Sequence, residues 1–195
     1  MRDRIKSLSM RGWIGLTMTV LFATGGGYYA YWSIVQDRFT TVTEHQLYRS
    51  ARMDPDDLLR VAEDYGIRSV IDLRTFADDA AGIEAERRAL EDTDISYLHL
   101  PTGHEPDDET VLKFLNFVGN PANRPTLVHC YHGTGRAVLF GSLYRIEFEN
   151  WENETARRAV EPLHWRGNFG PNSVKGQYLR AYKPHNITVV VASKE

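Results

Sequence analysis

The hydrophobic pattern changes character once along the chain. Residues 13–35 (WIGLTMTVLFATGGGYYAYWSIV) carry no charge, and beyond them apolar positions fall into short runs with helical or strand spacing. As a helix, the uncharged stretch would reach roughly 34 Å, enough to cross a hydrocarbon core. Trp13 at one end and Tyr28, Tyr29, Tyr31 and Trp32 at the other suit the two interfaces. Residues 13–35 are therefore expected to form a transmembrane helix, a signal anchor. The rival reading is a cleaved export signal, with residues 14–23 as its apolar stretch and Ala23-Thr24-Gly25 as a poor cleavage site.

Residues 36–44 read as a linker. After it, strand and helix patterns alternate. Residues 46–52 suit a short strand, and Asp54-Pro55 opens a helix with Leu58, Leu59, Ala62 and Tyr65 on one face and Gly66 as its stop. The β-branched run 67–73 (IRSVIDL) predicts a buried strand, 82–91 a helix and 95–100 another strand. Asp107 or Asp108 caps a helix lined by Val111, Leu112, Phe114, Leu115 and Val118. A strand over 125–129 and helices over 137–148, 152–163 and 174–182 follow, with 186–192 as a last strand or a docked tail. The alternation predicts an α/β domain over 45–195, with a mostly parallel central sheet flanked by helices. In such sheets the ligand lies beyond the carboxyl ends of the strands.

Charge and composition narrow the function. With 42% hydrophobic and 25% charged positions, disordered and disulfide-scaffold classes are excluded. The net charge of −3 is unevenly placed. Residues 1–37 carry Arg2, Arg4, Lys6 and Arg11 against Asp3 and Asp37, so the remainder is the acidic part. By the positive-inside bias, residues 1–12 are expected in the cytoplasm and the main body outside it, anchored in a bacterial inner membrane. An acidic body argues against nucleic acid as a partner. Cys130 is the only cysteine, so no intramolecular disulfide can form.

The chemistry concentrates in His129-Cys130-Tyr131-His132-Gly133-Thr134-Gly135-Arg136, between a predicted strand and a predicted helix. A strand–loop–helix points backbone N–H groups and the positive end of the helix at one spot. Gly133 and Gly135 let the loop curl around an anion. Cys130 would feel that field as a thiolate nucleophile. Arg136 offers a two-pronged fork for phosphate oxygens. A small buried hydrophobe at a strand end is the plainer reading of a lone cysteine; the glycines and arginine at fixed spacing favour the chemical one.

These residues fit the pattern HCxxGxxR, and the chain resembles the cysteine-based protein tyrosine phosphatases in their compact, dual-specificity-like bacterial branch. Leu47-Tyr48-Arg49-Ser50-Ala51, residues 66–74 (GIRSVIDLR), 125–130 (PTLVHC) and 143–146 (LYRI), and Trp151 followed by Ala156, extend the resemblance over 39–183. It implies a protein tyrosine phosphatase-like fold and hydrolysis of a phosphorylated protein or small phosphomonoester through a phosphocysteine. Cys130 would attack phosphorus, Arg136 would hold the phosphoryl oxygens within the loop of Tyr131, His132, Gly133, Thr134 and Gly135, and His129 would support the loop. No metal or organic cofactor is implied. Two positions depart from the branch. Gly135 stands where an aspartate is usual, and Ala137 where a threonine or serine usually helps the sulfur leave.

Ester cleavage also needs a proton donor for the leaving oxygen. The resemblance places it on a loop matching 101–109 (PTGHEPDDE), where Gly103 holds the usual aspartate position. Asp107 is the first candidate and Glu105 the second, with His104 behind them; Asp107 and Asp108 also suit helix capping. Asp72 and Arg74 read as a buried ion pair, as partners of Arg49, or as a brace for the active-site loop. Two alternatives stay beside the protein phosphatase: an inositol-phosphate or phosphoinositide phosphatase of the same superfamily, and a phosphate-binding module with weakened catalysis.

Overall fold

The computed structural model describes residues 10–32, 37–161 and 168–185. The chain divides into two units, 1–37 and 38–195. The first contains helix α1 (Met10–Ala30). Its threonines return their hydroxyls to the helix: Thr17 donates to the Trp13 carbonyl and Thr19 to that of Gly15. Among the described residues, no helix is long and apolar enough to cross a membrane. The expected transmembrane helix over 13–35, and the membrane as a partner, therefore lose their support. The reason is that freedom from charge is not apolarity: Gly15, Gly25–Gly27, three threonines and two tyrosines dilute the run within α1.

The second unit is built on a five-stranded sheet in the order β1-β2-β5-β3-β4. Its strands are β1 (Thr40–Thr43), β2 (Leu47–Ser50), β3 (Ser69–Asp72), β4 (Ser96–His99) and β5 (Thr126–His129). β1 runs antiparallel to β2, and the other pairings are parallel, matching the expected mostly parallel α/β class. β1 occupies four of the nine residues, 36–44, expected to be a linker. Thr40–Thr43 is a half-exposed edge strand without an apolar run, which leaves little signal in the pattern.

Side-chain alternation along the strands divides the core. Leu47, Ile71 and Val128 face one side, where they pack with Phe114, Leu139, Phe140 and Leu143. Tyr48, Val70 and Leu127 face the other, against Leu58, Ala62 and Leu90. The helices are α2 (Pro55–Tyr65), α3 (Phe76–Glu91), α4 (Asp108–Gly119), α5 (Arg136–Phe148), α6 (Asn153–Val160) and α7 (Val174–Ala181). Gly66 ends α2 at φ +62°, with its N–H returned to the Ala62 and Glu63 carbonyls, as glycine stops require. α3 starts six residues earlier than its apolar spacing indicates, with non-helical angles at Asp79. The expected strand or tail over 186–192 lies outside the described residues, as do 162–163 of the helix expected over 152–163.

Candidate active site

β5 is the central strand, and Cys130 follows its last residue, His129, beyond the carboxyl end of the sheet. The thiol-bearing residue is 2% exposed. Residues 131–135 then curl back to α5, whose first residue is Arg136. Gly133 makes the curl possible in two ways. Its φ is +66°, and a Cβ there would fall 2.5 Å from the Ala51 nitrogen. The end of β2 thus pins the loop, and two further bonds hold it: the Arg52 N–H donates to the Tyr131 carbonyl (3.4 Å) and the buried Arg49 guanidinium to that of Gly133 (3.2 Å). Burial lowers the Arg49 pKa to about 10, with Cys130 opposing that fall. Even so, Arg49 remains a cation near neutral pH.

Arg136 is 8% exposed, and its Nη1 donates to the carbonyls of Leu73 (2.9 Å) and Thr102 (3.2 Å) and to Asp78 Oδ2 (2.7 Å). These contacts fix the guanidinium where β3 and β4 end. Asp78 lies in the first turn of α3, where its carboxylate also accepts from the Thr75 N–H (2.8 Å) and hydroxyl (3.0 Å). Its hydrogen bond from Arg136 is the main reason its pKa falls to about 2. His104 sits at the same mouth: burial first, then the charges of Lys175 and Arg136, push its pKa down, while Asp78 opposes them. Lys175, 6% exposed, feels Cys130 and Arg136 in turn.

Beneath the loop lies a buried ionic network. The parallel register sets Asp72 beside His129. His129 Nε2 is 2.7 Å from Glu86 Oε1, Arg74 reaches Glu86 (2.6 Å) and Asp72 (2.8 Å), and the Tyr97 hydroxyl donates to Asp72 (3.0 Å). Burial works against charge on His129, but the Glu86 carboxylate, with Asp72, outweighs it and raises the imidazole pKa. Donor atoms of Asp72, Glu86 and His129 lie within 4.8 Å of one another. Arg74 already supplies positive charge among them, so the cluster reads as an ion network supporting the loop.

This geometry agrees with the comparisons. The family model described as "DSP-PTPase phosphatase fused to NAD+ Kinase" matches residues 30–169. The chain belongs to this DSP-PTPase family. Dual specificity protein phosphatase TpbA of Pseudomonas aeruginosa (strain UCBPP-PA14) is 34% identical over 88 residues, 44% of this chain and 38% of that protein. The chain thus spans well under half the length of the curated relatives it matches. Among solved structures, P. aeruginosa TpbA is similar with a TM-score of 0.59 and 24% identity, over 76% of this chain and 87% of that one. The catalytic core of the PP-IP phosphatase SIW14 from S. cerevisiae gives a TM-score of 0.61 and 20% identity, over 74% and 85%. These two establish likeness of fold.

Within this DSP-PTPase domain, Cys130 and the loop 131–135 lie between His129, the last residue of β5, and Arg136, the first of α5. Asp72 and Arg74 form the buried ion pair, while Arg49 serves the loop instead. The acid candidates are placed differently. Asp107 is the N-cap of α4, where its carboxylate accepts from the Thr110 N–H (2.8 Å), and Glu105 is exposed. The hydrogen bond from Thr110 lowers the Asp107 pKa. Asp78, Glu86 and Lys175 were not found from sequence. Thr75-x-x-Asp78 is a capping-type spacing that could have marked the start of α3; nothing local links Glu86 or Lys175 to the loop.

Proposed function

We propose that this domain hydrolyses phosphoric monoesters, phosphotyrosine in proteins first among them, through a phosphocysteine on Cys130. One observation carries the reading: a buried cysteine at the carboxyl end of the central strand and an arginine at the start of the next helix bracket a loop pinned by Gly133. A thiolate formed at Cys130 would face the Arg49 and Lys175 cations. Sulfur attacks phosphorus, an S–P bond forms, and the ester O–P bond breaks with its electron pair on the leaving oxygen. Arg136 holds the phosphoryl oxygens. Water then attacks phosphorus and releases the thiolate and inorganic phosphate. The relative TpbA, whose solved forms include a complex with pTyr, supports phosphotyrosine as the substrate class.

For the leaving oxygen we assign the proton to Asp78. In the ligand-free site the carboxylate is held ionised by Arg136. A bound dianion shares that guanidinium's charge and adds like charge beside Asp78, and both effects raise a carboxyl pKa. Turnover of p-nitrophenyl phosphate by the wild type, lost in Cys130→Ser with the fold retained, tests the reading; equal turnover in both ends it. A second reading has the additional cations Arg49 and Lys175 in its favour: a densely charged substrate such as an inositol polyphosphate, the kind named for SIW14. Parallel turnover of a phosphotyrosyl peptide and an inositol polyphosphate separates the two.

For cellular placement we infer export of the phosphatase domain from the cytoplasm. The support is the layout of Arg2, Arg4, Lys6 and Arg11 ahead of an uncharged run, which is that of an export signal. An alkaline phosphatase fusion after residue 195 should be active, and an inactive one overturns the placement.

A further inference from the structure

Residues 131–135 contain no lysine, yet an ammonium reaches them from a distant helix. Lys175 is the second residue of α7. The start of this helix is tightly held. Ser173 caps it by accepting from the Gly176 N–H (3.1 Å), and Gly176 packs so closely on the Gly170 carbonyl that a Cβ would fall 1.9 Å from its oxygen. Lys175 is therefore delivered from a fixed backbone. Its side chain runs to the last loop residue: a Cβ on Gly135 would lie 3.0 Å from Lys175 Cε and 3.5 Å from Nζ.

The side chain is 6% exposed, and among the described residues it makes no hydrogen bond or ion pair. A buried ammonium is costly unless it is paired. Burial and the neighbouring Arg136 charge weaken its hold on the proton, and only Cys130 strengthens it. The surroundings therefore call for an anion next to Gly135, on the loop that curls around one.

We propose that Lys175 is a phosphate-binding residue of this site, its ammonium contacting an oxygen of the phosphoryl group held over Cys130. The inference rests on the phosphatase reading for the identity of the ligand. It also accounts for Gly135, where the resembling enzymes usually carry an aspartate. A side chain there would crowd the lysine stem, so the glycine and the lysine are a matched pair: the loop gives up a side chain to admit a cation from α7.

Titration of the full chain with tungstate, an inert tetrahedral dianion, tests this directly. Lys175→Met should weaken tungstate binding at least tenfold and raise KM for p-nitrophenyl phosphate in parallel. Its ligand-free melting temperature should equal or exceed that of the wild type, because a buried unpaired charge is replaced by an apolar chain of similar length. A merely structural lysine gives the opposite pattern, a lower melting temperature with unchanged affinity, and that result overturns the proposal. Gly135→Ala should weaken tungstate binding in the same direction, and the double variant should be no worse than Lys175→Met; additive losses would contradict the matched pair. If the wild type binds tungstate in a Lys175-dependent way but hydrolyses no ester, the phosphatase reading fails and the anion site stands. If turnover is normal while Lys175→Met binds tungstate as the wild type does, the lysine assignment fails and the phosphatase reading stands.

Discussion

Replacing Asp78 by asparagine removes the carboxylate that engages Arg136, and the consequences for binding and for chemistry run in opposite directions. The fall of the Asp78 pKa from 3.8 to about 2 is led by its bond from Arg136. That fall corresponds to about 2.4 kcal/mol. The side chain is 30% exposed, and solvent screening reduces the effective figure to about 1 kcal/mol. All three contacts of Arg136 use Nη1, so a phosphate dianion on the same guanidinium competes with the Asp78 carboxylate for its charge and is repelled by it. Asp78→Asn should therefore tighten tungstate binding about fivefold. The same substitution removes the assigned proton donor, so kcat on alkyl or phenyl phosphates should fall about a hundredfold or more. Esters whose leaving group is already a weak base should keep most of their kcat. Calorimetric titration with tungstate and steady-state kinetics on both ester types read these effects. Unchanged or weaker tungstate binding would refute the competition. Equal loss on both ester types would refute the assignment of the proton.

Two further perturbations probe the network and the second step. Glu86→Gln breaks a buried pair with His129, which should cost about 3 kcal/mol and lower the melting temperature by several degrees. The His129 pKa is raised in the folded state from its ordinary 6.5, so its contribution to stability is complete below that value and declines as pH rises through the folded pKa. The gap in melting temperature between the wild type and Glu86→Gln should narrow in alkaline buffer; a gap constant with pH would remove the imidazolium from the argument. Ala137 is fully buried where a hydroxyl usually assists departure of the sulfur. Loss of one such donor slows a step by a factor on the order of a hundred or more. Stopped-flow traces of the wild type should show a burst of alcohol product, and Ala137→Ser should raise the steady rate and shrink the burst; the absence of a burst, with an inert Ala137→Ser, would show that breakdown of the phosphocysteine is not limiting.

Legibility followed locality. The strand–loop–helix around Cys130 was readable because its residues are adjacent in sequence and each constrains the backbone: apolar Leu127 and Val128 bury the strand, Gly133 permits the curl, and Arg136 opens the helix. β1 escaped because Thr40–Thr43 pairs on one edge with polar, half-exposed residues. The first turn of α3 escaped because it is held by Thr75 and Asp78 and interrupted at Asp79, not marked by an apolar stripe. Asp78, Glu86 and Lys175 reach the site from other elements, and only tertiary packing reveals them. Asp107 is ambiguous for the converse reason: an acidic residue before a helix fits both a proton donor and a cap, and here its carboxylate accepts from the Thr110 N–H as a cap does.

Rapid quenching of the wild type with a radiolabelled phenyl phosphate, followed by peptide mapping, tests the covalent mechanism most directly. A phosphoryl label should appear on the peptide containing Cys130 within the first turnover and be absent from Cys130→Ser. Undiminished hydrolysis without label on that peptide, or label on another residue, would contradict it.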